Sequence, residues 1–211
     1  LSLFAIFSLI LSIYGEIFKK KERFRKSCLK RTIFPYEVIT QITSKNNTKF
    51  YISFSAPKRG NHNSPVIGIY AIYQRNEGYY EATITPYKGR KYISIFPPHF
   101  FRRYRERIMK EKEDIDITKI IEHHISNNWA CCLTIADKDY NEVYYQFEQI
   151  NLDEKIEFIG RTANGYSFGT KKNDIIIFKT IISEEMIREE QKELFNSLKD
   201  NYNDFTQDYF G

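Results

Sequence analysis

Cysteine is scarce in this sequence, and so are glycine, proline and tryptophan. The 211 residues include three cysteines, nine glycines, six prolines and one tryptophan. Cys28 stands alone and Cys131 is followed directly by Cys132, so the number is odd and no C-x-x-C spacing occurs. This pattern excludes a disulfide-rich scaffold and a cysteine-based zinc site. We expect free thiols in a reducing compartment, which favours a cytoplasmic location.

Motifs for cofactors and metals are missing as well. Residues 160–170 ("GRTANGYSFGT") contain three glycines, but the spacing fits neither a dinucleotide fingerprint nor a P-loop. We expect this segment to be a turn between strands. The histidines lack the i, i+4 spacing of a helical metal site; they are His62, His99, His123 and His124. We therefore predict no cofactor and no metal.

Aromatic and basic residues are abundant. Aromatic residues make up 16% of the chain, and 32 Lys and Arg against 27 Asp and Glu give a formal net charge of +5. This charge allows a polyanionic partner such as RNA without requiring one. Length and composition indicate a globular chain. We predict an apolar segment plus a basic run over residues 1–31 and a single α+β domain over residues 32–211.

The first 14 residues ("LSLFAIFSLILSIY") are apolar apart from three serines. A bilayer span needs about 20 apolar residues, so this segment is short for one. Three roles stay open: a membrane anchor whose basic run lies at the cytoplasmic surface, a signal-peptide remnant, or a helix packed in a groove. Membrane association through residues 1–14 is thus an alternative that accompanies the cytoplasmic location.

The pattern of apolar residues predicts an α+β fold: an antiparallel or mixed sheet with two central helices and a C-terminal helix. Residues 35–43 fit either a strand or a short helix. The final helix should begin after Ser183 and carry Met186, Ile187, Leu194 and Leu198 as its apolar stripe. Alternation and turn residues predict strands at 48–57, 66–74, 79–87, 91–96, 129–136, 142–150, 155–160, 166–170 and 174–182.

The first central helix should begin at Pro98 or His99, because proline is favoured at the first helical position. Helical positions four residues apart differ by about 40°, so His99, Arg103 and Arg107 form a stripe beside an apolar face. The second helix should begin after Asp116, a good N-cap. His124 on that helix shares its apolar face, so we expect it in the core.

An imidazole and two guanidinium groups on one stripe suit the cleavage of RNA phosphodiesters. A neutral His99 can accept the proton of a ribose 2′-hydroxyl, and Arg103 and Arg107 can hold the phosphate. No metal is needed. A structural role is the alternative, because helices often carry charged borders and Glu106 can pair with Arg102 or Arg103.

The order of these features resembles the small RelE-like and EndoU-like ribonuclease toxins, including the BrnT type. The shared pattern is H-x-x-x-R-x-x-x-R on a helix after a strand, a second helix, and an apolar run that contains Lys179-Thr180. It covers residues 91–182 and implies a metal-independent ribonuclease in which Lys179 or Thr180 is a further donor. The domains of that family are smaller, and Lys179 can alternatively be the outward residue of an edge strand.

Two other functions stay open. Aromatic and basic residues alternate around Lys88, Arg90 and Arg102, and exposed rings beside cations can stack on unpaired bases. The alternatives are therefore a non-catalytic nucleic-acid-binding module and an accessory protein associated with a membrane. Whether the protein is an enzyme is left open by the sequence. The ribonuclease interpretation requires Thr180 and Lys179 to lie near the stripe.

Overall fold

A computed structural model describes residues 3–44, 48–111, 115–128, 131–148 and 155–210. In these ranges the chain forms nine β-strands and five α-helices, so the predicted α+β class is confirmed. The chain divides into two compact units, one of Leu1–Tyr73 with Gln207–Gly211 and one of Gln74–Thr206. The single domain predicted for residues 32–211, with its toxin-like part at 91–182, stays a prediction.

The first unit packs one long helix on antiparallel strands. Strand pairing joins Tyr36 to Ala56 and Phe50 to Ala71. The helix buries Ile13, Ile17, Phe24 and Cys28 in the same cluster as Phe50, Ile52 and Phe54. The elements are α1 (Leu3–Cys28), β1 (Tyr36–Thr43), β2 (Lys49–Ala56) and β3 (Val66–Arg75).

Helix α1 joins the apolar N-terminal segment to the basic run. Of the three roles considered for residues 1–14, helix packing is observed at Ile13, which is buried, whereas Leu11 and Tyr14 are exposed. Residues 1 and 2 lie outside the described residues. None of the helices in the described ranges has the length and apolar character of a bilayer span. Of residues 35–43, for which strand and helix were both considered, Tyr36–Thr43 form β1.

The second unit contains six strands in the order β4-β5-β9-β8-β7-β6. Its β5 and β9 are parallel, with Ile93 opposite Ile175, and the other pairs are antiparallel, so the sheet is mixed. The strands are β4 (Gly78–Tyr87), β5 (Arg90–Phe96), β6 (Cys132–Ile135), β7 (Phe158–Thr162), β8 (Gly165–Lys172) and β9 (Ile175–Ile182). The helices are α2 (Pro98–Tyr104), α3 (Ile117–Asn127), α4 (Lys138–Phe147) and α5 (Lys192–Phe210).

A glycine fixes the turn between β7 and β8. Gly165 has φ +151°, and a Cβ atom there would collide with the carbonyl oxygen of Ile182. Only glycine accepts both conditions at no steric cost. Residues 160–170 therefore form the end of one strand, a turn and the start of the next, as the sequence predicted.

The strand predicted at residues 142–150 is wrong where the structure describes it, because residues 138–147 form α4. The carboxylate of Asp137 accepts hydrogen bonds from the backbone amides of Asp139 and Tyr140 and caps this helix. Tyr140, Val143 and Tyr144 are buried at helical spacing. Valine and tyrosine favour strands, but this preference depends on context, and packing overrode it here. Residues 149 and 150 lie outside the described residues.

The C-terminal helix begins later than predicted. Two short 3₁₀ turns, Glu184–Met186 and Glu189–Gln191, follow Ser183 before α5 starts at Lys192. Between them Ile187 is extended and buried, which interrupts the helix. The predicted stripe residue Leu198 is buried, together with Phe195, against the core formed by α4 and β7 to β9.

Two further predictions concern residues 129–136 and the cysteines. The strand predicted at 129–136 is shorter, because β6 covers Cys132–Ile135 and residues 129 and 130 lie outside the described residues. The three thiols are free. Burial raises the pKa of the Cys131 thiol to about 12, with a smaller effect from Cys132, which keeps Cys131 protonated and unreactive at neutral pH.

A first prediction concerns Glu37 in β1, whose buried Oε1 has no hydrogen-bond partner. Burial raises the pKa of this carboxyl from 4.5 to about 7. The folded chain therefore holds the proton more tightly than the unfolded chain, and stability is lost as the pH rises between these two values. We expect Glu37→Gln to raise the free energy of unfolding above neutral pH by about 1–3 kcal/mol.

Urea denaturation at about pH 5 and about pH 8 measures this effect. The advantage of Glu37→Gln over the wild type should grow with pH. The exposed Glu77→Gln is the matched control and should show no such growth. An advantage of equal size at both pH values would show that burial of the Glu37 charge is not its cause.

Candidate active site

A buried carboxylate lies at the centre of the predicted His/Arg stripe. Glu148 follows α4 directly, and its side chain is 3% exposed. Its oxygens accept hydrogen bonds from Thr180 Oγ1 at 2.6 Å and from Arg103 Nη2 at 3.3 Å. Arg107 Nη2 lies 3.0 Å from Oε1, and His99 Nε2 lies 3.2 Å from Oε2. Four of the five predicted catalytic residues thus meet at a glutamate that the sequence analysis did not single out.

Three elements bring these side chains together. Pro98 starts α2 and places His99 in its first turn. The chain continues after Tyr104 as a π-helical turn, Arg105–Met109, which carries Arg107. Strand β9 supplies Thr180 beside a β-bulge, since Thr180 pairs with Phe168 and Phe178 pairs with Gly169.

Arg107 is a nearly buried residue that links two elements of the second unit. Its side chain is 10% exposed. Nη1 donates to Thr180 Oγ1 at 2.7 Å and to the carbonyl of Ile181 at 3.1 Å, and Nη2 donates to the carbonyl of Phe147 at 3.1 Å. The guanidinium therefore joins the end of α4 to β9. Because its N–H groups are engaged in these contacts, Arg107 is poorly placed to bind a phosphate.

Arg103 is shared between two carboxylates. It reaches Glu148 as described, and Nη1 donates to Glu106 Oε2 at 3.1 Å. The pairing of Arg103 with Glu106 that the sequence offered as a structural alternative is thus observed. With 30% of its side chain exposed, Arg103 lies at the border of the buried cluster and solvent.

Opposing effects set the ionisation of Glu148. Burial acts to raise the pKa of its carboxyl, but the hydrogen bond from Thr180 and the charges of Arg107 and Arg103 outweigh it and hold the pKa below the ordinary 4.5. Glu148 is therefore an anion at neutral pH. Its charge is balanced by the arginines that surround it.

His99 connects this buried anion to the surface. On the side away from Glu148, its Nδ1 lies 2.6 Å from Arg102 Nη2. A guanidinium can only donate, so Nδ1 is the acceptor, and the hydrogen-bond network assigns the proton to Nε2, which donates to Glu148. His99 is thus a neutral, oriented imidazole whose basic nitrogen points to the exposed Arg102.

The other predicted residues differ in position. Lys88 lies in the turn before β5 and Arg90 is the first residue of β5, whereas His99 follows the opposite end of this seven-residue strand. A strand of that length spans about 20 Å, so the structure does not bring Lys88 and Arg90 to His99. Lys179 is the extra residue of the bulge and is half-buried. Its role as a further donor stays a prediction.

A second buried polar cluster surrounds His124 in the core of the second unit. His124 Nδ1 lies 2.9 Å from Oε2 of the fully buried Glu81, so the predicted core position of His124 is confirmed. Nearby, Tyr104 Oη contacts His123 Nδ1 at 3.1 Å and Asn164 Nδ2 at 2.7 Å. Burial is the main cause that raises the pKa of Tyr104 to about 12.

Neither a family model, nor a curated protein, nor a solved structure matches this chain. The resemblance to ribonuclease toxins therefore stays a prediction from the sequence. Over the described ranges, no three His, Cys, Asp or Glu side chains are grouped as metal ligands would be. Function must be inferred from the geometry around His99 and Glu148.

A second prediction tests the central position of Glu148. Glu148→Ala leaves the charge of the buried Arg107 without its carboxylate, and we expect it to lower the free energy of unfolding by about 3–5 kcal/mol. The matched control is Glu106→Ala, which removes an exposed partner of Arg103 and should cost about 1 kcal/mol or less. Urea denaturation measures both, and equal costs would contradict the assignment.

A third prediction concerns how the stabilising effect of Glu148 depends on pH. The pKa of Glu148 is lowered on folding, so its stabilising effect is present above 4.5 and is lost as the pH falls through the folded-state value. The stability difference between the wild type and Glu148→Gln should therefore shrink in acid. Acid denaturation followed by circular dichroism measures it, and a difference that is constant with pH would count against the ionised carboxylate.

Proposed function

We propose that the site at His99 is a metal-independent ribonuclease site. The observation that carries this proposal is the arrangement of His99, with Nε2 held by the buried Glu148 and Nδ1 facing the exposed Arg102. A general base of this kind needs a free lone pair, a fixed orientation and access to solvent. His99 is partly exposed and is oriented by Glu148, and its Nδ1 lone pair accepts from Arg102 until a substrate displaces that guanidinium.

The chemistry is a transfer of the phosphoryl group to the neighbouring 2′-oxygen. Nδ1 of His99 takes the proton of the 2′-hydroxyl and the 2′-oxygen bonds to phosphorus. The bond from phosphorus to the 5′-oxygen breaks, and this oxygen takes a proton from solvent water. The products are a 2′,3′-cyclic phosphate and a free 5′-hydroxyl. Glu148 is a positioning residue, because it fixes the tautomer of His99 and stabilises the positive charge that the ring gains.

Arg102 takes the role of phosphate ligand that the sequence analysis gave to Arg107. A guanidinium bonds more strongly to a phosphate anion than to a neutral imidazole. An incoming phosphodiester would draw Arg102 away from Nδ1 and free the base at the moment when the substrate is in place. Arg103 adds positive charge at the border of the buried cluster, while Arg107 holds Glu148 in place.

The test is cleavage of a labelled single-stranded RNA of mixed sequence in the presence of EDTA. We expect the wild type to produce 2′,3′-cyclic phosphate ends and to leave the DNA of the same sequence intact, because DNA lacks the 2′-hydroxyl. His99→Gln should lower kcat about 100- to 10,000-fold. Arg102→Ala should mainly raise KM, since it removes a phosphate contact.

His62→Gln and Arg188→Ala are the matched controls, because they change an imidazole and an exposed guanidinium elsewhere on the protein. Both should cleave like the wild type. Full activity of His99→Gln, or equal cleavage of DNA, would overturn the proposal. Salt-dependent binding of RNA without cleavage would support the non-catalytic RNA-binding alternative instead.

A further inference from the structure

Two faces of helix α1 carry large apolar side chains, and among its described side chains only those on one face are covered. Ile13 and Ile17 are buried in the core of the first unit. On the other face the exposed fractions are 71% for Leu11, 63% for Tyr14 and 58% for Phe18. Large apolar side chains that are this exposed and this close together are unusual on a protein surface and indicate an interaction site.

These exposed residues form one stripe along the helix. Spacings of three and four residues bring Leu11, Tyr14 and Phe18 to the same side. Leu29 is also exposed and follows Leu11 by 18 residues, which is five helical turns, so it returns to the same side just beyond the end of α1. Charged residues lie on this side between Phe18 and Leu29, so the continuous apolar part of the stripe, from Leu11 to Phe18, is about 10 Å long.

Positive charge borders the apolar stripe. Residues 16–31 contain eight basic and two acidic residues, a net charge of +6 (8 minus 2). The two acidic residues are each paired within the helix, Glu16 with Lys19 at 2.9 Å and Glu22 with Arg25 at 3.1 Å. At 100° per residue, Lys21 and Lys26 lie on opposite sides of the stripe.

We propose that this face of α1 docks on an anionic lipid bilayer, with the helix lying in the plane of the membrane surface. Apolar side chains with cations beside them are typical of interfacial helices, since the former enter the boundary of headgroups and chains while the latter pair with lipid phosphates and carboxylates. Tyrosine is favoured at that depth.

The charges and the apolar stripe together select this partner. RNA would satisfy the cations but would leave the side chains of Leu11 and Phe18 in water. A second copy of the same helix would cover the stripe, but it would bring two clusters of like charge together. The proposal does not depend on the ribonuclease site, whose residues belong to the other unit.

The test is cosedimentation of the whole protein with lipid vesicles. We expect binding to vesicles of phosphatidylcholine and phosphatidylserine in equal parts, weaker binding to phosphatidylcholine alone, and weakening of the former by salt. The double variant Leu11→Ser, Phe18→Ser should lose about tenfold or more in affinity. Lys21→Gln, Lys26→Gln should lose about tenfold at low salt and depend less on salt.

Matched controls separate these effects from general changes of the surface. Ile33→Ser removes an exposed apolar side chain outside the helix, and Lys138→Gln removes an exposed cation in the second unit. Both should bind vesicles like the wild type. Circular dichroism should show that every variant is folded, as expected for changes at exposed positions.

Two results would overturn the proposal: no binding to either kind of vesicle, whether or not the protein is retained on single-stranded RNA, or unchanged binding by both double variants. The His99→Gln variant should bind vesicles as the wild type does. A wild-type protein that binds vesicles but does not cleave RNA would contradict only the ribonuclease proposal, and one that cleaves RNA but does not bind vesicles would contradict only the membrane proposal.

Discussion

The burial of the Glu148 carboxylate is the constraint on which the site depends. A carboxylate that leaves water must have its hydration replaced by charges and hydrogen bonds, or it destabilises the fold. Here the replacement comes from the imidazole of His99, two guanidinium groups and the hydroxyl of Thr180. Because these groups belong to α2, the π-helical turn and β9, one charge holds three separate elements against the end of α4.

The burial of Glu148 also gives different environments to arginines that look equivalent in the sequence. Arg107 donates hydrogen bonds to Thr180 and to backbone carbonyls and pairs with Glu148, so its role is structural. Arg102 lies one residue before Arg103 but outside the buried cluster, and its guanidinium is exposed. His99 lies between the two regions. A side chain at such a border is oriented by rigid, charged neighbours and can also be reached from solvent.

Helix α1 shows a comparable division within the first unit. One apolar face is covered by strands of that unit, and this accounts for the packing of Ile13, Ile17 and Phe24. The second apolar face, at Leu11, Tyr14 and Phe18, is exposed. A surface that combines exposed apolar area with concentrated positive charge is costly in water, and the cost is recovered when an anionic and apolar partner covers both.

Local sequence patterns suffice to predict the α+β class, most strands, the start of α2 and the stripe of His99, Arg103 and Arg107. These features follow from local rules: alternation, proline at a helix start and helical spacing. The contacts of the stripe depend on the folded chain, because Glu148 is 45 residues from Arg103 and its segment has the composition of a strand. Which arginine is exposed, and where the bulge sets Thr180, likewise depend on long-range packing that no local pattern encodes.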